Sequence, residues 1–469
     1  MSVAGGLAWL WNKVRNGYTE AVFLLYLTVL FVTIYFGATT NLPPLIFLAG
    51  LLCIGCFNPI GKRAHAFWPV MGATGAVLIL GFLRSDFVAM LASGKSLHDA
   101  WHLSTRYFRA PMIMWVTTWA LVFAACGLTG RRAGRVLTWM TWLAIALFAV
   151  ELVDAISNDG LRNWMNVHWF GHQRPEMVIV DASNLNTFLL MLFWPLAFWL
   201  VWRKWIGPIL LMVVTVLWTA VTVDTNAQIF TLVAAAIVFW ATANWPAAWS
   251  RRGILPERVL AGLAVFWVLA FPLVVLGVMR AGLTKPLHDH LPASWAARID
   301  IWTYAVNRSL EKPWLGWGYE SARRFDPYIP DHPHNLSLQA WLELGIPGLL
   351  LMALLWGCIF WFLAPKGSEA VEVPEAEGSL KALGGASEAK ATPEHLAAQP
   401  SAQQLARPYV LAAAANYFLL NALSYGMWKQ WLHCVAAMML ITIIFGIKAV
   451  GLEMKADNAL PDKAIRKAG

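Results

Sequence analysis

Residues 259–279 read VLAGLAVFWVLAFPLVVLGVM, a run without a charged side chain between Arg258 and Arg280. A helix rises about 1.5 Å per residue, so this run is long enough to cross the roughly 30 Å hydrocarbon core of a bilayer. A helix satisfies its backbone hydrogen bonds internally, which lipid requires of any spanning segment. The stretch therefore predicts a transmembrane helix.

Similar apolar runs recur along the whole chain of 469 residues. Hydrophobic residues make up 59% and charged residues 13%, against roughly 45–50% and about 25% in soluble domains. Many of the 28 tryptophans flank the apolar runs, as side chains at the headgroup boundary do. We predict an all-α polytopic membrane protein of about twelve transmembrane helices. The runs lie near 20–37, 42–57, 67–83, 111–128, 136–155, 185–202, 206–223, 228–245, 259–279, 345–364, 408–427 and 431–450.

Short basic connections indicate the orientation of these spans. If the N-terminus is cytoplasmic, most of the densely basic turns fall on the cytoplasmic side, as the positive-inside rule requires. Both termini are then cytoplasmic. The formal charge of +9 has the same explanation, so no nucleic-acid partner is expected. The basic turns hold Lys13, Arg15, Lys62, Arg63, Arg131, Arg132, Arg135, Arg203, Lys204, Arg251, Arg252 and Arg258.

The predicted organisation has one large loop on the opposite, non-cytoplasmic side. Residues 1–279 hold nine spans, 280–344 form that loop, and 345–364 form the tenth span. Residues 365–407 are rich in Ala, Glu, Gly, Ser and Pro, which predicts a flexible cytoplasmic linker. Residues 408–450 hold the last two spans, and 451–469 form a cytoplasmic tail.

Basic residues also gather on the non-cytoplasmic side, against the orientation bias. Seven lie between Arg280 and Arg324, and others follow the third and fifth spans. This clustering suggests an anionic ligand, although such side chains can equally reach phospholipid headgroups. The others are Arg84, Lys95, Arg106, Arg109, Arg162 and Arg174.

The large loop contains two predicted helices. Ser294 is a candidate cap for the first, which runs to about Lys312 and stops at Pro313. Arg298 and Trp302 are four residues apart in it, a spacing suited to a cation–π contact. Asp331 is a candidate cap for the second helix, with Pro333, His334 and Asn335 in the first turn and the helix running to Gly345.

His334 is the candidate catalytic residue of this loop. At a helix N-terminus the macrodipole disfavours the imidazolium form. A neutral imidazole can accept a proton, as a general base must. A capping or packing role for His334 is the alternative.

Three motifs of the loop resemble the O-antigen ligase and polymerase superfamily. They are Arg298-x3-Trp302, Pro313-x2-Gly316-x-Gly318, and His334-Asn335 followed by nine residues and Gly345-Ile346-Pro347-Gly348. Arg174 followed by Asp181-Ala-Ser-Asn184 is similar to a weaker family element. The sequence departs from the family at Thr225-Asn226-Ala227-Gln228, where Ser-Arg is common.

The resemblance implies a GT-C-like glycosyltransferase of the bacterial inner membrane with its active site facing the periplasm. The implied donor is undecaprenyl diphosphate carrying O-antigen, and the acceptor is a sugar hydroxyl of lipid A–core. His334 would take the acceptor proton in an inverting displacement without a metal or other cofactor. Apart from these substrates, the expected partners are membrane lipids. Arg298 and Arg174 would bind the diphosphate, with further candidates in Arg323, Arg324 and Arg84, and with support from Asn335, Trp302, Tyr319 and Asn184.

Other functions stay open at this stage. An O-antigen polymerase or a protein O-glycosyltransferase would share the loop motifs and differ in acceptor. A lipid or polysaccharide transporter would need ionisable residues at mid-membrane depth, and Glu151, Asp154 and Asp224 lie near predicted span ends instead. The histidines of His288-Asp-His290 and His332-Pro-His334 could ligate zinc, although a ligand cannot also be a free base.

Overall fold

The computed structural model describes residues 3–56, 67–170, 175–364 and 400–458, and these residues form helices without a β-strand. The predicted all-α class is confirmed. The helices are α1 (Val3–Thr33), α2 (Ala38–Cys53), α3 (Trp68–Leu83), α4 (Asp86–Ala92), α5 (Leu97–Gly127), α6 (Gly130–Ile156), α7 (Gly160–Phe170), α8 (Pro175–Trp202), α9 (Ile206–Thr222), α10 (Asn226–Ala243), α11 (Ala247–Arg251), α12 (Pro256–Arg280), α13 (Thr284–His290), α14 (Ala293–Glu311), α15 (Leu336–Trp361), α16 (Ala402–Leu423) and α17 (Gln430–Asn458).

The helices identify a polytopic membrane protein. Among the described residues, seven helices are long and apolar enough to cross a membrane, and an eighth span results if α3 and α4, bent by 43°, count as one. Shorter apolar helices cover Thr39–Cys53, Pro111–Gly127 and Ile206–Thr222. Each of the twelve predicted apolar runs coincides with a helix: α1, α2, α3, α5, α6, α8, α9, α10, α12, α15, α16 and α17.

The helix bundle has three hydrophobic cores, two among its long apolar helices and a third between α14 and α15. α8 lies at the centre of the first core, together with α1, α2, α6 and α17. The second core joins α3, α12, α15 and α16. The third core packs Ile301, Trp302 and Val306 of α14 against Leu338 and Leu342 of α15, so the loop helix is fixed on the bundle.

The first loop helix begins one residue before the predicted cap. α14 runs from Ala293 to Glu311, and its N-cap position is Pro292 rather than Ser294. The Pro292 carbonyl accepts hydrogen bonds from the backbone of Trp295 and Ala296. The extended conformation of Pro292 therefore sets the helix start, and Ser294 lies inside the first turn.

α15 contains a sharp interruption at Gly345, where φ is +70° and ψ is −164°. In a regular helix the Leu342 carbonyl would accept from the Ile346 amide, and the Glu343 carbonyl from residue 347. Residue 347 is proline, which has no amide hydrogen, and the Ile346 amide donates instead to Pro313 at 2.9 Å. Two carbonyls in a buried position are thus left without helical donors.

The loop segment 313–318 supplies the missing donors. The Trp317 amide donates to Leu342 at 2.8 Å, and the Gly318 amide donates to Glu343 at 2.9 Å. This approach of backbone to backbone leaves no space for side chains. A Cβ atom on Gly345 would lie 2.2 Å from the Trp314 carbonyl oxygen, and one on Gly316 would lie 2.5 Å from the backbone of Glu343. The glycines of the loop motifs therefore allow the backbone of the 313–318 segment to contact the backbone of α15 directly.

We predict that Gly345→Ala destabilises the protein. Alanine at positive φ carries a strain of about 1–3 kcal/mol, and its Cβ clash forces the 313–318 segment away from α15. The thermal unfolding midpoint of the purified protein should fall clearly. Gly277→Ala is the matched control, because Gly277 lies in α12 with open space around it. An unchanged midpoint for Gly345→Ala would contradict the proposed junction.

Candidate active site

Asn335 forms the start of α15 and fixes the residue before it. Its Oδ1 accepts hydrogen bonds from the amides of Ser337 at 2.9 Å and Leu338 at 3.0 Å, and its Nδ2 donates to the Ala422 carbonyl at 2.7 Å. The predicted cap, Asp331, is wrong: the helix begins at Leu336, with Asn335 as the N-cap. The side chain of Asp331 instead accepts from Lys429.

His334 lies directly before this cap, in the left-handed backbone region at φ +53°. Its Nδ1 is 2.9 Å from the Ser424 carbonyl oxygen. A carbonyl can only accept, so Nδ1 carries the hydrogen and Nε2 keeps its lone pair. Burial lowers the pKa of His334, the hydrogen bond to Ser424 raises it, and the charge of Arg298 lowers it, with a net decrease. The geometry thus favours a neutral imidazole whose Nε2 can accept a proton.

His332 is a second neutral histidine beside it. The two rings are 4.3 Å apart in an edge-on arrangement, and the His334 amide donates to His332 Nδ1 at 3.3 Å. Burial is the main reason why the pKa of His332 falls to about 3, with the charges of His334 and Lys429 acting in the same direction. His332 therefore supports the backbone of His334 as an acceptor.

Arg298 projects from α14 toward the same place. Its guanidinium lies 4.8 Å from the ring centre of Trp295, one turn earlier in α14. The predicted partner, Trp302, has another role: its indole donates to the Pro333 carbonyl at 2.9 Å and its ring packs edge-on against Phe271. Trp302 faces the core, so Trp295 stacks on Arg298, and Trp302 supports the residue preceding His334.

Arg298 has no carboxylate within ion-pair distance among the residues that the structure describes. The guanidinium of Arg298 is partly removed from water. This burial lowers its pKa, and the nearby Tyr425 only partly opposes the decrease. Its charge also acts on His334. An arginine that is partly desolvated and unpaired beside a basic nitrogen is suited to hold an anionic group, because its planar fork matches phosphate oxygens.

The other predicted arginines already have partners in the protein. Arg323 lies 3.3 Å from Asp331 and 3.8 Å from Glu320, and Arg324 lies 2.6 Å from Asp86. Arg84 donates to the carbonyls of residues 315 and 316, at 3.0 and 3.4 Å. The contacts of Arg84 and Arg324 tie the loop to α3 and α4, whereas those of Arg323 lie within the loop. Arg174 lies outside the described residues.

Arg162 also differs from the expectation of an anion-binding arginine. It is 2% exposed and contacts Glu151 at 2.6 Å, Asp159 at 3.4 Å and Asp154 at 3.6 Å. Its guanidinium also lies 4.7 Å over the ring of Tyr35. Three carboxylates of the protein therefore surround this one cation, which leaves it no free charge for an anionic ligand.

Asn226, where the expected family pattern has an arginine, is exposed and donates to Asp224 at 3.1 Å. Gln228 lies two residues further along α10. It is buried, and its Nε2 donates to the Ser183 carbonyl and to Thr187 Oγ1, both at 2.8 Å. Thr187 is in turn 2.7 Å from the hydroxyl of Tyr425, the neighbour of Arg298. A neutral polar cluster thus lies next to the position at which an arginine was expected. Asn184, a predicted supporting residue, is buried on α8 beside this cluster.

Glu343 is the functional candidate that sequence reasoning missed. Its carboxylate is fully buried and accepts from Gln339 at 3.0 Å, from the indole of Trp428 at 2.5 Å and from the Glu320 amide at 2.9 Å. Gln339 also accepts from the Met427 amide at 2.8 Å. These bonds fix residues 424–429, the α16–α17 connection, which carries Ser424. The only signal in the sequence was a single glutamate within an otherwise apolar stretch.

Tyr319 belongs to the same packing unit. Its ring centre is 4.6 Å from that of Trp428, and its amide donates to the Arg84 carbonyl at 3.0 Å. Tyr319 therefore joins the 313–320 segment to α3 and to the α16–α17 connection. Its predicted supporting role is compatible with this position.

The two histidine pairs considered as alternative zinc ligands lie in different settings. His288 is half exposed on α13, 3.3 Å from both Asp289 and Asp300. His332 and His334 contact each other and the backbone. Within the described ranges, no three His, Cys, Asp or Glu side chains are arranged to hold a metal ion.

The geometry defines a polytopic membrane protein with a proton-accepting histidine and an arginine at one end of its helix bundle. Comparison with known proteins indicates the family to which this region is similar. Residues 207–353 match the family described as O-Antigen ligase. The matched range includes Arg298, His334, Gly345 and the 313–318 segment. The predicted resemblance is confirmed: the chain contains an O-antigen ligase family region.

Three curated relatives carry the name "Putative polysaccharide ligase". The one from Rickettsia conorii is 26% identical over 178 residues, which are 35% of this chain and 34% of the relative. Those from Rickettsia felis and Rickettsia typhi are each 33% identical over 98 residues, 18% of this chain and 24% of the relative. The matches thus span about a third of the first relative and a quarter of the other two. No solved structure matches the chain.

We predict that acid destabilises the protein through His332. Its folded pKa of about 3 lies below the ordinary value near 6.5, so the unfolded chain binds the proton more readily. The contribution of neutral His332 to the free energy of unfolding is fully present above pH about 6.5 and is lost as the pH falls toward 3. His332→Asn keeps an acceptor for the His334 amide, and it should reduce the fall of the thermal midpoint between pH 7 and 4. His288→Asn, at a half-exposed site, should behave as wild type. Equal pH profiles for all three proteins would contradict the prediction.

Proposed function

We propose that the protein is a glycosyltransferase that moves a glycan from undecaprenyl diphosphate to a sugar hydroxyl of lipid A–core. One observation carries the proposal. The Nδ1–H group of His334 donates a hydrogen bond to the Ser424 carbonyl, which leaves Nε2 as a proton acceptor near the guanidinium of Arg298, a group without a carboxylate partner among the described residues. The O-antigen ligase match over residues 207–353 supports the reaction class. We place the site on the periplasmic face of a bacterial inner membrane with both termini cytoplasmic, because the basic connections favour that orientation.

The proposed reaction is a direct displacement at the anomeric carbon. The acceptor hydroxyl gives its proton to His334 Nε2 while its oxygen forms the new bond to that carbon. The bond from the anomeric carbon to the phosphate oxygen breaks, its electron pair stays on the diphosphate, and the configuration inverts. Arg298 stabilises the developing charge on the leaving group. The Ser424 carbonyl stabilises the imidazolium, because Nδ1–H still points at it.

A large cavity between the helices supports a lipid-linked donor. It has a volume of about 1810 Å³ and is lined by residues of α3, α5, α15, α16 and α17. Its walls are mostly apolar, and one end reaches Leu336, Met427 and Trp428, the neighbours of Asn335 and Ser424. A polyprenyl chain needs such an apolar path, and the diphosphate would then lie at the end where Arg298 and His334 are found.

We predict that His334→Ala abolishes transfer in a reconstituted assay. General base catalysis typically contributes a factor of about 100 to 10,000. The neighbouring imidazole, His332, is buried and its Nδ1 already accepts from the His334 amide, so it is not expected to replace Nε2. Product is measured by the change in mobility of the radiolabelled glycan. His288→Ala, on exposed α13, is the control and should keep wild-type activity. Transfer by a folded His334→Ala protein at the wild-type rate would overturn the mechanism.

The same assay separates the possible acceptors. Purified protein receives the lipid-linked glycan with lipid A–core, with no second acceptor, or with an acceptor protein. Transfer in the first arm alone supports the proposed ligase. Lengthening of the glycan in the second arm would establish a polymerase instead, and transfer in the third would establish a protein O-glycosyltransferase.

We predict that Arg298→Ala weakens use of the donor sharply, because the leaving diphosphate loses its bidentate partner. Arg298→Lys should restore only part of the activity, since the charge returns without the planar fork. The readout is kcat/KM for the lipid-linked donor. Arg308→Lys is the matched control on α14, where Arg308 pairs with Glu311. If Arg298→Ala equals wild type, Arg298 does not bind the donor.

A further inference from the structure

A second cavity lies at the opposite end of α17 from the candidate active site. It has a volume of about 800 Å³ and lies along the first turns of α6, between α1 on one side and the ends of α8 and α17 on the other. α17 begins at Gln430 near Ser424 and reaches this groove at Leu452 and Glu453. At about 1.5 Å per residue, roughly 30 Å or more separate the two places.

The groove changes in character along α6. Arg131 and Arg135 come first, and Trp139 and Trp142 follow one and two turns later, all lining the groove. Trp139 is 44% and Trp142 54% exposed. Leu24, Leu25 and Thr28 of α1 form the facing wall. Charged side chains lie at the helix end, and indole rings and apolar side chains lie together deeper in the groove, which matches the headgroup of a phospholipid and the interfacial and acyl region below it.

The groove has one more guanidinium group than carboxylate groups. Three arginines and two glutamates line it. Glu20 accepts both bonds of Arg135, at 2.6 and 2.8 Å, and lies 3.3 Å from Arg132. Glu453 is held by Arg203 and by the indole of Trp202.

Arg131 is the guanidinium that remains. It is exposed, and among the residues that the structure describes it has no carboxylate within 4.0 Å. α6 also begins at Gly130 without a side-chain cap or an acidic residue in its first turn. The positive end of the helix therefore adds to the charge of Arg131 instead of opposing it.

We infer that this groove binds an anionic phospholipid, with its phosphate at Arg131 and an acyl chain along Trp139, Trp142 and Leu25. The surplus positive charge favours a headgroup with net negative charge over a zwitterionic one, whose ammonium group would be repelled. Arginine matches phosphate oxygens through its fork, and indole rings pack on the glycerol and upper acyl region. The site is independent of the proposed glycosyl transfer.

The test compares two lipids that differ only in the headgroup. The full-length protein, delipidated in detergent, is titrated with dioleoyl phosphatidylglycerol or dioleoyl phosphatidylcholine, and retained lipids are counted by native mass spectrometry. We expect preferential retention of phosphatidylglycerol by wild type. A basic side chain near a membrane surface contributes a factor of about five, so Arg131→Gln should reduce that preference about fivefold. Arg131→Lys should keep most of it.

Arg252→Gln is the matched control, because Arg252 is exposed on the same predicted membrane face and lines neither cavity. It should retain the wild-type preference. Equal retention of the two lipids by wild type would overturn the inference. So would an equal loss of preference in Arg131→Gln and Arg252→Gln, since that would indicate general surface charge instead of a site.

Discussion

The junction between the interrupted helix α15 and the loop segment 313–318 is the contact on which the candidate site depends. Gly345 and Pro347 leave the carbonyls of Leu342 and Glu343 without helical donors, and the amides of residues 317 and 318 supply them. Buried carbonyls need such partners, so the loop and the helix fold as one unit. The side chain of Glu343 then extends the unit to Trp428 and the α16–α17 connection. Through Ser424, that connection fixes the proton on His334.

The distribution of charge near the loop distinguishes two kinds of arginine. Arg84 and Arg324 bond to backbone carbonyls and to Asp86 and hold the loop to α3 and α4, and Arg323 pairs with carboxylates within the loop. Arg298 stacks on Trp295 but lacks a carboxylate partner within the described ranges. A partly desolvated cation in that state gains most from an anionic ligand, because neither water nor the protein fully compensates its charge. This difference is the reason why we propose Arg298, and not the other arginines, as the residue that binds the diphosphate.

Some predictions from the sequence were wrong where two nearby residues were equally suited to the same role. Arg298 can reach either Trp295 or Trp302 on a helix, and the choice follows from Trp302 turning inward to Phe271 and Pro333. Asp331 and Asn335 are both good capping residues, and Asn335 caps α15 because its amide also reaches Ala422 on α16. The partner of Arg162 was not visible either, since Glu151 and Asp154 lie on the preceding helix.

The sequence by itself determined the class of the protein, because uncharged runs of about twenty residues have no stable place outside a bilayer. It also determined the motif around His334, whose glycines and proline dictate an unusual local backbone. Only the tertiary structure decided which nitrogen of His334 is free, that Arg298 lacks a carboxylate partner among the described residues, and why Glu343 is buried. Those properties depend on contacts between segments some ninety residues apart in sequence, such as His334 with Ser424. No local pattern of residues specifies such contacts, since they arise when the helices pack.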